Sequence, residues 1–309
     1  MTVQPGGSGV PMAPPTIRAA GMSVARTDPK GLRGRIASVF YLLALAAATF
    51  IFVFPFVWLI SASLKTRSTV YNNQLFADPL QFQNYVRIFE IAPVASWLFN
   101  SVIVALAAAA TVTLSSALVA FAFAYFRFPY RNAIFGLVLA SMMLPGAVLM
   151  IPQFLIWDEL GQINSLVPLW AGNLFGSAFY IFLLRQFFLG LPRELFEAAR
   201  VDGASYPRMW WSIAMPLTRA ALIVVFIFEL KASWTDLLKP LIYLRDTALF
   251  TLPRGLQSLV DRFNPTAGGQ GDFQYVMAAS VIITVPMVVV FFLAQRYFVE
   301  GIATTGSKG

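Results

Sequence analysis

Four charged side chains, Glu229, Lys231, Asp236 and Lys239, interrupt one apolar stretch, residues 220–244. Charge in such a segment is costly and marks a bundle interior or a water-filled path. Asp236 and Lys239 are three apart and can pair on one helix face. Lys239 can also snorkel to an interface. Glu229 and Lys231 are two apart and point in different directions. Asn100, Asn173 and Ser177 are weaker candidates for the same path, since polar side chains also hold helices together. A second cluster is Glu197-Ala198-Ala199-Arg200, followed by Asp202-Gly203-Ala204-Ser205 and Pro216. It lies in a polar segment and reads as a surface rather than a catalytic set.

Little else could do covalent chemistry. The 309 residues include no cysteine and no histidine. That excludes disulfides, thiolate nucleophiles, Cys-ligated metals, a Ser-His-Asp triad and histidine ligation. No G-x-x-x-x-G-K-[ST] phosphate loop occurs, and the glycines 268, 269 and 271 lack the strand–helix context of a nucleotide site.

The elements around these residues are hydrophobic. The chain is 58% apolar and 12% charged, against roughly 25% charged in a soluble domain. Long apolar runs bounded by charge, proline or glycine predict six membrane spans near residues 37–62, 98–125, 132–155, 165–189, 219–243 and 275–297. Each exceeds the roughly 20 residues a bilayer demands. With the N-terminus cytoplasmic, most of the 22 Lys and Arg fall inside, among them Arg33, Arg127, Arg185, Arg193, Arg208 and Arg296. The net charge of +8 is thus a topology signal that puts both termini in the cytoplasm. It needs no nucleic-acid partner.

Residues 1–32 carry five prolines and five glycines and read as a disordered cytoplasmic tail without a cleavable signal sequence. The remaining divisions are 33–97, the first span with an outer loop; 98–297, five spans with a cytoplasmic loop at 190–218; and 298–309, a cytoplasmic tail. In the loop, Pro192 opens a helix at a position where its missing N–H costs nothing. Glu194 and Glu197 suit its first turns. Gly203 can take the left-handed turn that ends it. Ser205 can cap a second helix bearing Trp210 and Trp211, which Pro216 ends before Arg219. A plain connector is the simpler alternative. Yet few connectors are this long and well punctuated, and the loop reads as a docking element for a soluble partner.

The ordered set Glu197-Ala198-Ala199, Asp202-Gly203-Ala204-Ser205, Ile213 and Met215-Pro216-Leu217 resembles the EAA loop of bacterial ABC importer permeases. Arg185, Phe187, Phe188, Pro192 and Glu194 match its carbohydrate branch, the MalG-like permeases. So do Trp234, Asp236, Pro240-Leu241-Ile242, Thr251-Leu252-Pro253, Gly255-Leu256 and the run from Gln295 to Gly301 with Gly306, Lys308 and Gly309. The likeness covers most of the chain beyond the N-terminal tail. Departures are Met215 for leucine, Ala220 for a second proline, Thr235 for asparagine, Lys239 for an apolar residue, and the charges Glu229 and Lys231.

The resemblance implies an all-α membrane protein of six transmembrane helices with a helix–turn–helix coupling loop, in the bacterial inner membrane. It implies a MalF-like sister permease, two ATP-binding cassette ATPases and an extracytoplasmic solute-binding protein. ATP and Mg would sit on the ATPases, and this chain would bind no cofactor and catalyse no reaction. Glu197 would contact the ATPase, with Arg200 as an alternative partner or a brace within the loop. An ion-coupled secondary transporter using Glu229 and Asp236 is an alternative that leaves the loop without a task. An intramembrane enzyme would need two converging polar motifs, and only one span is charged.

Overall fold

The computed structural model describes residues 32–76, 78–264 and 271–303. The N-terminal tail expected at 1–32 and the C-terminal residues 304–309 therefore lie almost wholly outside the described residues. Among the described residues all regular structure is helical. The helices are α1 Leu32–Ser63, α2 Gln83–Ile91, α3 Val94–Tyr125, α4 Arg131–Ser141, α5 Gly146–Glu159, α6 Val167–Trp170, α7 Ala178–Leu189, α8 Arg193–Val201, α9 Tyr206–Met209, α10 Met215–Leu217, α11 Arg219–Trp234, α12 Leu238–Tyr243, α13 Leu252–Phe263 and α14 Phe273–Ala303. The chain divides after Phe54 into two compact units. The first carries most of α1, and the second carries everything described below.

Three helical stretches are long and apolar enough to cross a membrane: Ile36–Ser63, Val94–Tyr125 and Phe273–Gln295. They contain the first and second expected spans and all but the last two residues of the sixth. The other three expected spans are not continuous helices. Arg131–Ser141 and Gly146–Glu159 meet at 96°, because Pro145 withholds a backbone donor and its ring disfavours helix at Leu144. Val167–Phe175 and Ala178–Leu189 meet at 41°, where Gly176 takes φ 79°. The fifth expected span, 219–243, stops at Trp234. The Asp236 carboxylate accepts the backbone N–H groups of Leu238 and Lys239 at 3.0 and 3.2 Å, which starts α12 as a separate helix.

The core is organised on α3. Its buried stripe includes Ser101, Val104, Ala105, Ala108, Ala109, Val112, Ser116, Ala117 and Ala120. Steps of three and four put these small side chains on one face, where they let neighbouring backbones come close; α7 and α11 pack along it. At one end, Trp97 joins Phe250, Leu252, Leu259, Phe263 and Tyr275 in a buried cluster. At the other, Phe121 joins Tyr180, Leu184, Phe188, Phe196, Met209 and Val225.

The first end is pinned by side chains that take up loop backbone groups. Asn100 donates to the carbonyls of Ala248 and Phe250 at 2.9 and 3.0 Å. Ser101 accepts the N–H of Leu252 at 2.7 Å. The Trp97 indole donates to the Thr247 carbonyl at 2.7 Å. Before α2, Lys65 is buried with its ammonium on the backbone and side-chain oxygens of Asn72 at 3.1 and 2.9 Å. Burial lowers its pKa from the ordinary lysine value.

Gly255 faces the Trp97 ring so closely that an added Cβ would lie 2.2 Å from Cε3. Gly255→Ala must therefore displace the indole and break its bond to Thr247. The expected loss is about 1–3 kcal/mol of stability, the usual scale of overpacking. Thermal unfolding in detergent checks it: the substitution lowers the midpoint in the wild-type background and much less in Trp97→Leu.

Candidate functional site

The break between α6 and α7 places a short 3-10 segment, Ala171–Phe175, inside an otherwise apolar stretch. Backbone groups released at such depth must be paired within the protein or face a water-filled cavity. Two adjacent hydroxyls of α3 do part of this. The Ser115 hydroxyl lies between the Thr111 carbonyl at 2.7 Å and the Asn173 carbonyl at 3.0 Å and shares its proton between them, and Ser116 accepts the Ser177 N–H at 3.0 Å. An added Cβ on Gly176 would lie 3.2 Å from Ser116 Oγ, so the positive φ and the close approach both favour glycine.

Asn173 then reaches α11. Its Nδ2 donates to Glu229 Oε1 at 2.7 Å, and the Tyr180 hydroxyl on α7 faces the same carboxylate. The candidate charge Glu229 and the candidates Asn173 and Ser177 thus meet at one junction of α3, α7 and α11. The other candidates do not join it. Asn100 is committed to loop carbonyls at one end of α3, as above. Lys231 is exposed, and Asp236 is occupied with the start of α12. The expected Asp236–Lys239 pair does not form among the described residues, because the carboxylate turns to backbone donors two and three residues on. Sequence reasoning passed over Ser115, Ser116 and Tyr180. The signal available was the Ser-Ser pair in an alanine-rich span.

A cavity of about 350 Å³ opens beside this junction, lined by Gln153, Trp157, Gly172, Asn173, Lys239 and Tyr243 among others. Phe154 stacks on Tyr243 behind it, the ring centroids 6.2 Å apart and the planes within 13°.

The polar segment at 190–218 folds as two helical stretches joined at a glycine corner. Helix α8 begins after Pro192 and carries Glu194 in its first turn and Arg200 in its last, each favourable to the helix dipole. The Gly203 N–H bonds to the Arg200 carbonyl at 3.0 Å and the Ala204 N–H to the Ala199 carbonyl at 2.8 Å. With Gly203 at φ 78°, this is a Schellman ending. Ser205 starts the second stretch through its backbone carbonyl, which accepts the Met209 N–H at 2.9 Å. Its hydroxyl makes no capping bond. That stretch runs through a π-helical turn, Trp210–Ala214, into α10. Pro216 therefore lies inside the last turn, and the helix ends at Thr218.

Only one face of α8 is held. Phe196 is buried against Phe121 and Tyr125 at centroid distances of 5.9 and 5.2 Å. The Arg200 guanidinium lies 6.0 Å from the Tyr206 ring centre. Ala199 and Ala204 are half-buried, whereas Glu197, Ala198, Asp202, Ser205 and Pro216 are exposed. Val201 is 88% exposed, and Leu195 is exposed as well. A short polar helix showing these apolar side chains to solvent has a face fit for a partner.

Residues 114–304 match the protein family described as binding-protein-dependent transport system inner membrane component. The arabinooligosaccharides transport system permease protein AraQ of Halalkalibacterium halodurans is 33% identical over 272 residues, covering 86% of this chain and 95% of the relative. The sn-glycerol-3-phosphate transport system permease protein UgpE of Yersinia enterocolitica is 34% identical over 272 residues, covering 85% and 95%. Among solved structures, a chain of a bacterial ABC transporter involved in import of the acidic polysaccharide alginate superposes with a TM-score of 0.76. It is 21% identical and covers 87% of this chain and 98% of the other. That last likeness concerns the fold.

An added Cβ at Gly203 meets nothing within 4 Å, so substitution there acts through backbone strain alone. Gly203→Ala costs about 1–2 kcal/mol and Gly203→Asn much less, since asparagine tolerates the left-handed region. Hydrogen exchange at the Ala204 amide reads this out. The alanine variant opens roughly 5–30-fold more often, and the asparagine variant stays near wild type.

Proposed function

The chain belongs to the binding-protein-dependent transport system inner membrane component family, and on that premise we propose that it is a permease subunit of an ATP-driven importer of a sugar or sugar-like solute. The three long helices, α4 with α5, α6 with α7, and α11 with α12 make six crossings of the bacterial inner membrane, with both termini in the cytoplasm. The distribution of lysine and arginine supports this orientation. A sister permease supplies the other half of the path. Two ATP-binding cassette ATPases bind ATP and Mg, and an extracytoplasmic binding protein delivers the solute. The names of the relatives, which speak of arabinooligosaccharides and sn-glycerol 3-phosphate, support that substrate range.

The observation that carries the mechanism is the seat of Phe196. Helix α8 offers Glu197, Ala198 and Val201 to an ATPase on one side and buries Phe196 against Phe121 and Tyr125 of α3 on the other. Closure of the ATPase dimer displaces α8, and the Schellman corner at Gly203 keeps the loop rigid enough to pass that displacement on. Phe121 stands five residues beyond Ser116, about 7.5 Å along α3 at a rise of ~1.5 Å per residue. A shift of this end of α3 thereby bears on the broken segment that Ser115 and Ser116 hold. Asn173 and Glu229 belong to that segment and its neighbour, and they line the path.

Glu197→Lys and Gly203→Val, whose branched side chain is an outlier at positive φ, should abolish uptake and substrate-stimulated ATP hydrolysis while leaving the protein in the membrane. Full uptake by either variant sinks the coupling role. Uptake should fail on ATP depletion and persist after ion gradients collapse; the reverse would identify a secondary transporter. Glu229→Ala should change transport while the ATPases still co-purify, and unchanged transport would make Glu229 structural.

A further inference from the structure

The charge at Lys239 has no task in the account so far. It stands on α12, a helix whose start is fixed by Asp236, and it lines the cavity beside the α6–α7 break. Its ammonium has no ion pair or hydrogen bond among the described residues. The one acid within a helical turn of it in sequence, Asp236, is spent on backbone N–H groups. A half-buried ammonium that faces a cavity without a counter-charge attracts an anion that enters it.

The rest of the lining says what kind of anion. Trp157 is a flat aromatic wall, and Tyr243, buried and stacked on Phe154, closes the cavity beneath it. Such a wall suits the apolar C–H face of a pyranose or a short polyol, because aromatic rings combine apolar area with fixed geometry. Gln153 and Asn173 add carboxamides able to donate to and accept from hydroxyls. Asn173 is itself oriented, since its Nδ2 is held on Glu229, which leaves its oxygen as the free acceptor side. A few placed polar groups among aromatic walls are the usual composition of a ligand pocket, and about 350 Å³ falls at the small end of the range of ~300–1,000 Å³. The wall at Gly172 and Asn173 is non-α-helical backbone, which at membrane depth is found where it is buried in protein or lines a water-filled cavity.

We propose that this cavity is a subsite for one anionic sugar unit or polyol, with Lys239 pairing with its carboxylate or phosphate, Trp157 packing on its carbon face, and Gln153 and Asn173 reading its hydroxyls. The proposal rests on the importer reading above and gives the cargo of that path a charge. Lys239 is the specificity-determining residue: an ammonium adds nothing for a neutral sugar and stabilises a negatively charged one.

The test uses the complete transporter, with its sister permease, ATPases and binding protein, in proteoliposomes containing ATP. Three labelled probes are compared: digalacturonate, sn-glycerol 3-phosphate and the neutral arabinobiose. Wild type takes up at least one of the two anionic probes, and which one distinguishes carboxylate from phosphate. Lys239→Gln lowers that uptake at least tenfold through a raised KM, and Lys239→Arg stays within about threefold of wild type. Uptake of the neutral probe alone, or equal anionic uptake by Lys239→Gln, overturns the anion subsite and leaves the importer reading intact. Absence of ATP-dependent uptake of every probe overturns both. The wild-type comparison among probes decides the matter even if Lys239→Gln fails to assemble.

Discussion

An apolar surrounding offers no water to a backbone N–H or carbonyl, so every departure from continuous helix must be paired by the protein itself. That requirement falls hardest on the break between α6 and α7. Ser115 shares its proton between the Thr111 and Asn173 carbonyls and so ties this segment to α3, while Ser116 supplies the acceptor for Ser177. Because those hydroxyls sit on one continuous helix, the break is held in place too. Asn173 is thereby aimed at Glu229, and the cavity wall at Gly172 and Asn173 acquires a definite position.

Helix α3 carries the consequences to both ends of the larger unit. Its alanine stripe brings α7 and α11 close, which is why a carboxylate on α11 and an amide from the 3-10 segment can meet at 2.7 Å. At one end Trp97, Asn100 and Ser101 take up the carbonyls and N–H groups of the 247–252 loop. At the other, Phe121 and Tyr125 receive Phe196 of α8. One helix therefore touches the loop beyond α12, the broken segment and α8. Packing at protein-interior density makes such a connection stiff rather than compliant.

The glycine corner of the 190–218 segment was legible residue by residue. Proline at the entry, acids in the first turn and Asp-Gly at the exit each state a local preference, and Gly203 at φ 78° meets the last of them. The long spans were legible as well, since length and hydropathy are properties of the chain alone. The three broken spans were not. Pro145-Gly146 could have flagged the first of them, but Gly176 is one glycine among 20, and nothing local distinguishes it. The roles of the charges were read only in part: Glu229 and Asn173 stood as candidates, but their pairing depends on a bend that hydropathy cannot register.

The amino-acid sequence by itself determined that this is a membrane-bound helical chain without thiol or imidazole chemistry, with a capped polar loop and a charged fifth apolar segment. These follow from composition, periodicity and capping, which act over a few residues. Tertiary structure alone decided which charges do what. Asp236 could pair with Lys239 or cap α12, and the two choices differ by one side-chain rotation. The N–H groups of Leu238 and Lys239 at the start of α12 claim the carboxylate. Lys239 is left without that partner, because the start of a helix supplies unpaired N–H groups that a continuous helix would not have offered.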